Sequence, residues 1–337
     1  MADCPGARYG RWMPLNALSY VASWPTELLR LTGKDRLDFI QRLSSGNLLP
    51  LSSPGLVGQT LFCTKEGKLV AWCQVLSEED SLLLLPTPGG APSLQAWLTR
   101  YLIMEEVTVA VEPVEQVAVA GPEAQAALGL DDGTRSAAGG WRCGPGGDGR
   151  WWADLFAYPG RLLGLVPVGA AARLRQAAAV IQVATYGAAE QEIFRLRAGV
   201  PKGPQEGEPA APPLEQHLQQ PRLGAISWTK GCYVGQEVIS RLENYDKVGR
   251  WLMGVRSSGP LPAGVDVSAV RIVDALGAPL GRLTSWGENA SAQAFLGLGL
   301  IKRSAARPQP ALLVADGQRL PAQLELRPFF DHLGMPA

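Results

Sequence analysis

The stretch SWTKGCYVGQEVISRLENYDKVGR, residues 227–250, differs in texture from a chain otherwise rich in Ala, Leu, Gly and Pro. After Gly235 the apolar residues Val238, Ile239, Leu242 and Tyr245 recur at helical spacing, so QEVISRLENY predicts a helix. Lys230-Gly231-Cys232-Tyr233-Val234-Gly235 is then the loop that enters its N-terminus. Gly231 and Gly235 allow positive φ or close backbone approach, which suits a loop that wraps something. A helix N-terminus carries about half a positive charge, and Lys230 stands two residues before the cysteine. Both favour the thiolate form of Cys232. Glu237, in the first turn, suits the same dipole. The residues equally fit a structural cysteine buried in a glycine-kinked turn.

Outside this stretch, composition narrows the possibilities. The 337 residues are enough for two or three domains. A hydrophobic content of 46% against 18% charged describes a chain that buries large cores. Lys plus Arg and Asp plus Glu both number 31, so no net charge draws the chain to nucleic acid or to an anionic membrane, and neither partner is expected. The N-terminus lacks an apolar core followed by a small-residue cleavage site, and no run approaches the roughly 20 apolar residues of a membrane helix, so the expected location is the cytoplasm. Five scattered cysteines (Cys4, Cys63, Cys73, Cys143 and Cys232) and two histidines (His217 and His332) contain no CxxC pair. A resident zinc or iron–sulfur site needs about four closely spaced N or S ligands, so no stably bound metal is expected.

The chain before residue 250 reads as mixed α and β. ELLRLTG (27–33) suits a strand and KDRLDFIQRL (34–43) a helix; KLVAWCQVL (68–76) and SLLLLP (81–86) suit a hairpin. Apolar residues at 94, 97, 98, 101 and 102 mark a core-facing helix. VTVAVEPVEQVAVAGPEAQAAL (107–128) predicts two strands and a short helix opened by Pro122. Residues 131–150, with seven glycines in twenty, read as a surface loop. LLGLVPV (162–168) is a strand, helices follow at about 170–183 and 186–197, and five prolines make 199–213 an extended connection. After residue 250 short apolar runs recur about every ten residues, with an Asp316-Gly317 turn between two of them, which predicts a small antiparallel barrel or sandwich over 251–330.

Other motif matches fail on context. GPGGDG (144–149) fits GxGxxG but follows no strand and opens no helix. Asn289-Ala290-Ser291 has no secretory setting, and Arg241, Lys247 and Arg250 read as a solvated face more readily than as an anion site.

KGCYVGQE (230–237) resembles the signature of the YgfZ family, matching it at Lys230, Gly231, Cys232, Tyr233, Gly235, Gln236 and Glu237. LRLTGKDRLDFIQRLSSGNL (29–48), FCTKEGKLVAW (62–72), VAVAGPEAQAAL (117–128) and FRLRAGVPKG (194–203) resemble, in order, landmarks of the wider aminomethyltransferase-like family. The resemblance implies an α+β fold: a three-domain, ring-like folate-binding arrangement with interleaved α/β subdomains, one of them ferredoxin-like, over residues 1–250, and a C-terminal barrel. It further implies assembly or repair of iron–sulfur clusters in client enzymes, including some that modify tRNA, with the assembly machinery as partner and tetrahydrofolate as a ligand. Cys232 would act as cluster ligand or as nucleophile toward a sulfur donor, Lys230 would tune it, and Gln236 and Glu237 would anchor the helix start. Two departures matter. The aspartate that serves one-carbon transfer in the family is replaced by Ala71-Trp72, and the glutamate that meets the pterin ring is Arg197. A guanidinium accepts no hydrogen bond, so Arg197 would meet an anionic ligand group, and Glu215 is the candidate acceptor. Two other readings stand beside this one: a folate-dependent transferase with displaced catalytic residues, and a non-catalytic binding module with a structural Cys232.

Overall fold

The computed structural model describes residues 19–130, 140–144, 147, 149–154, 161–206, 211–219, 223–289 and 294–326. The N-terminal stretch with Cys4, most of the glycine-rich 131–150 segment, Ala290-Ser291 and His332 lie outside these residues.

Strand β1 (Tyr20–Thr32) leads into α1 (Arg36–Leu43), and β2 (Val57–Cys63), β3 (Leu69–Ser77) and β4 (Ser81–Pro86) form a meander. Helix α2 (Ala91–Thr99) precedes β5 (Thr108–Ala120) and α3 (Pro122–Ala127). Three antiparallel strands follow, β6 (Trp141–Cys143), β7 (Arg150–Ala153) and β8 (Leu162–Val166), and then α4 (Ala170–Val180), β9 (Ala184–Tyr186) and α5 (Ala188–Ala198). All nine strands belong to one mixed sheet in the order β2-β3-β4-β1-β5-β8-β7-β6, with β9 parallel to the start of β1.

The centre of the sheet is a 13-pair antiparallel ladder running from Tyr20↔Ala120 to Thr32↔Thr108. This corrects the two-strand expectation for 107–120. Pro113 removes one N–H, but its fixed φ is compatible with extended backbone, and the ladder continues on both sides. On its other edge β1 pairs with β9 over Tyr20–Ala22 and with β4 over Leu29–Thr32. Ser23–Leu28 are left between them without a strand on that edge among the described residues. Prolines suit such an edge, and Pro25 stands in the gap.

Helices α1 and α2 cover the β2–β4 half. Phe39, Ile40, Leu43, Leu94, Trp97 and Leu98 pack there on Leu29, Phe62 and Leu84. Helix α2 stops at Thr99, whose hydroxyl donates to Gln95 O, so Tyr101 and Leu102 pack from the following turn rather than from the helix. Within the glycine-rich segment, residues 141–143 form a strand rather than loop. Trp141–Cys143 pairs with β7, because the Trp141 indole reaches Ser77 O at 2.9 Å and Gly140 bridges Leu56.

Helix α6 (Gln236–Asn244) ends the first part of the chain. Strands β10 (Arg250–Ser257), β11 (Arg271–Val273), β12 (Pro279–Asn289), β13 (Ala294–Lys302), β14 (Gln309–Ala315) and β15 (Gln318–Glu325) then close a barrel in the order β10-β13-β12-β11-β14-β15. Asp316 and Gly317 both have positive φ, +47° and +77°, as a two-residue hairpin turn requires. Ile193 and Leu196 of α5 pack against the barrel residues Leu252, Leu296, Leu298 and Leu300.

Close packing between β7 and β8 gives a direct test. A Cβ on Gly164 would lie 2.6–2.8 Å from the Trp151 ring. Gly164→Ala is expected to lower stability by about 1–3 kcal/mol through overpacking, read as a drop in the urea unfolding midpoint.

Candidate functional site

The cysteine loop is held at both ends. Ser227 N donates to Ser45 O at 2.8 Å, and Ser45 Oγ donates to Ala225 O at 2.6 Å, which fixes the entry beside α1. The Lys230 ammonium then reaches three backbone carbonyls at and past the end of that helix: Gln41 O at 2.6 Å, Ser44 O at 2.7 Å and Gly46 O at 2.8 Å. It also lies 5.7 Å from the Tyr233 ring centroid. Burial lowers its pKa to about 8, while the three carbonyls satisfy all three donors of the charged form. Lys230 therefore anchors the loop to the first half of the chain, a role that its place in the sequence motif does not reveal.

Tyr233 is the second anchor. Its ring is buried with Leu61, Cys63, Leu69 and Trp72, and burial pushes the hydroxyl pKa up, with Cys63 adding to the shift. Between the two anchors Cys232 is exposed. Helix α6 begins shortly after, with Ile239 buried and Glu237 paired to Arg241 at 2.8 Å on its outer face. Gln236 N closes the entry turn on Tyr233 O. Trp228 and Tyr245 on the same segment are exposed aromatics, at 45% and 68%.

One glycine of the loop is required and the other is not. Gly235 has φ +85°, and a Cβ there would lie 2.5 Å from Thr64 O in the β2–β3 turn. Gly67 of that turn has φ +70° and leaves equally little room against Val238. The two glycines thus let the turn and the start of α6 nest together. A Cβ on Gly231 would meet no atom within 4 Å, and the backbone there has no positive φ. The expectation of close approach therefore holds for Gly235 alone.

Other thiols differ in setting. Cys63 and Cys73 are free and buried, and desolvation pushes both thiols up. Cys143 is free and exposed on β6. No cluster of three or more His, Cys, Asp or Glu side chains able to hold a metal occurs among the described residues.

The second feature is a cleft of about 390 Å³ at the gap in the β1 edge, a size usual for small-molecule sites. Trp24, Trp72, Leu85, Pro86 and Leu163 give it apolar walls. Four residues lining it, Trp24, Gln74, Thr87 and Gln191, each hold a buried polar atom (Nε1, Oε1, Oγ1 and Oε1) with no partner among the described residues. Each such atom costs about 1–3 kcal/mol, and all four are shielded from the open space of the cleft by their neighbours. Its carboxylates are already engaged. Asp154 accepts from buried Arg161 at 2.6 Å. Burial opposes ionisation of Glu192, yet hydrogen bonds from Arg195 and Lys202 hold its pKa at about 2.

Neither residue chosen from the sequence for ligand contact lines this cleft. Glu215 is buried and paired with Arg250 at 2.8 Å beside the first barrel strand. Arg197 lies two residues, or roughly 200°, around α5 from Arg195, whereas the cleft-lining residues of that helix are Ala188, Gln191, Glu192 and Arg195. That i, i+3, i+4, i+7 stripe was the available sequence signal. Trp72 forms part of the cleft wall, its indole donating to Gln59 Oε1 at 2.9 Å. Of the basic set at 241–250, Arg241 pairs with Glu237, Arg250 pairs with Glu215, and Lys247 lies over the Tyr245 ring.

The fold is shared with a solved aminomethyltransferase. The glycine cleavage system aminomethyltransferase T of Bartonella henselae superposes with a TM-score of 0.71 over 94% of this chain and 88% of that one, at 16% identity. In sequence the chain is similar to the mitochondrial iron–sulfur cluster assembly factor IBA57 of Mus musculus, 28% identical over 307 residues, 82% of this chain and 75% of the relative. It is also similar to a chloroplastic transferase candidate of Arabidopsis thaliana, 25% identical over 309 residues, spanning 82% of this chain and 64% of that relative's length. No family model matches the chain.

Two outcomes test this geometry. Lys230→Met leaves three carbonyls without their donor and is expected to cost roughly 2–3 kcal/mol of unfolding free energy. Lys230→Arg fails to restore it, because a planar guanidinium cannot converge on three carbonyls. In alkylation followed by peptide mass mapping, Cys232 and Cys143 react in the folded chain, whereas Cys63 and Cys73 react only after denaturation.

Proposed function

We propose that this chain supports the assembly or repair of iron–sulfur clusters in client enzymes, tRNA-modifying ones among them, and that it acts through Cys232. The observation that carries this reading is the exposed thiol held between two buried anchors, Lys230 and Tyr233. A cluster takes about four ligands, so a single presented cysteine suits transient ligation of a passing cluster, with the remaining ligands supplied by an assembly or client protein. The similarity to the IBA57 relative supports the same assignment.

Tetrahydrofolate is the small molecule proposed for the cleft. When bound it supplies a reduced pterin whose N5 carries one-carbon units. Trp24, Trp72, Leu85 and Leu163 would flank its ring. Asp154 and Glu192 are neutralised by their arginines and the lysine, and neither is placed to act as a general base. The cleft therefore favours ligand binding over aminomethyl transfer. No helix among the described residues is long and apolar enough to cross a membrane, and the cytoplasm is the proposed location.

In cells lacking the native copy, Cys232→Ser is expected to fold and accumulate normally while activities of iron–sulfur enzymes fall as far as in the deletion. Full rescue by Cys232→Ser would sink the proposal.

A further inference from the structure

We propose that a row of arginines on the outer face of the barrel docks an acidic segment of a partner protein. The register places Arg282 of β12 opposite Arg271 of β11, Arg271 opposite Val314 of β14, and Val314 opposite Arg319 of β15. Directly opposed residues share one face of a sheet, and the adjacent residues Leu283, Ile272 and Leu313 fill the barrel core. The three arginines therefore stand outward on one line, spanning roughly 14 Å at the usual strand spacing. At its inner end Arg282 is half-buried opposite Leu300, which packs with residues of α5. Arg271 and Arg319 are exposed on either side of Val314.

Stability does not account for this row. Like charges directly opposite one another destabilise a sheet, and neither the Arg271 nor the Arg319 guanidinium has a carboxylate within ion-pair distance among the described residues. A guanidinium presents a planar fork that takes a carboxylate on two parallel N–H donors. A Cβ on Gly277 would lie 3.9 Å from Arg319 Nη2, so this guanidinium rests against the β11–β12 turn, where the neighbouring Leu276 is 94% exposed. Arginine beside exposed apolar surface is a composition typical of protein–protein contacts. The row is also bounded. Asp316 stands in the β14–β15 turn at one end of these strands and Asp274 in the β11–β12 turn at the other. A phosphate backbone or an anionic membrane would run past the row onto both aspartates, and the chain as a whole carries no net charge. A short run of carboxylates with an apolar neighbour fits between them.

The test measures binding of the full chain at low ionic strength to three probes: a labelled glutamate-rich peptide carrying one leucine, a labelled single-stranded oligonucleotide, and phosphatidylserine vesicles. The chain is expected to bind the peptide, and Arg271→Gln/Arg319→Gln to weaken that Kd at least tenfold, about 1.4 kcal/mol. Lys65→Gln/Lys68→Gln removes the same charge from the exposed β2–β3 turn and is expected to stay within twofold of wild type. Without ligand, the arginine variant is expected to unfold at a urea concentration equal to or above wild type, since it relieves like-charge repulsion. Wild-type affinity in the arginine variant overturns the proposal. Equal weakening in the lysine variant does so too, because it marks a general charge effect, and loss of ligand-free stability in the arginine variant marks the row as structural. Absence of peptide binding, or tighter arginine-dependent binding of the oligonucleotide or the vesicles, overturns the assignment to an acidic protein. None of these outcomes touches the Cys232 proposal, which has its own rescue experiment.

Discussion

The ladder between β1 and β5 is the interaction on which the other parts of the first 250 residues depend. Thirteen registered pairs make β1 long enough to serve two sets of partners on its opposite edge, β9 at one end and β4 at the other. Neither partner reaches Ser23–Leu28, and the sheet opens there. Leu85 and Pro86 at the end of β4 border one side of the opening, and α5, starting two residues beyond β9, borders the other. A sheet that splits along one strand has to leave a concave gap, and ligand sites form where strand order divides in this way. The cleft is thus a consequence of register rather than of any local motif.

That origin explains which parts could be read from sequence. The barrel, the helix at 236–244 and the Asp316-Gly317 turn rest on short-range patterns: period-2 alternation, helical spacing and a two-residue turn that demands positive φ. The resemblance at 230–237 located the cysteine loop. The cleft was not legible, because Trp24, Trp72, Gln74 and Gln191 meet only once the pairing of β1 with β4 and β9 is known. Arg197 and Glu215 were chosen by motif position and by acidity. The first lies off the cleft-lining stripe, two residues on a helix turning a side chain to the opposite face, and the second is paired with a barrel arginine 35 residues on. Strand β6 was hidden because glycine counting ignores what a single tryptophan gains by reaching Ser77 and the sheet edge.

The cysteine loop and the cleft are separate places joined by one layer of core. Leu69 and Trp72 of β3 pack in the same cluster as Tyr233 and Ile239 of the signature segment, and Trp72 also forms a wall of the cleft. Just before β3, the turn containing Gly67 nests against Gly235 and Val238 at the start of α6. The same strand therefore positions the ligand wall and the base of the cysteine loop. Substitutions in β3 act on both places, so effects of such variants cannot be assigned to either one alone.

The chemistry available at the two places differs in kind. Reaction in the cleft would need a group able to take up a proton. The carboxylate best placed for it, Glu192, has its pKa held at about 2 by hydrogen bonds from Arg195 and Lys202 and stays ionised and bound throughout the physiological range. The indole of Trp72 in the cleft wall donates its only N–H proton to Gln59 and has no basic lone pair. The cleft therefore has little with which to change a ligand. Cys232 offers the reverse, a nucleophilic atom with ligand character on an open surface. Under the proposed function, selection at such a site would come from the surface of a docking protein, and the exposed Trp228 and Tyr245 of the same segment are aromatic side chains of the kind enriched in such contacts.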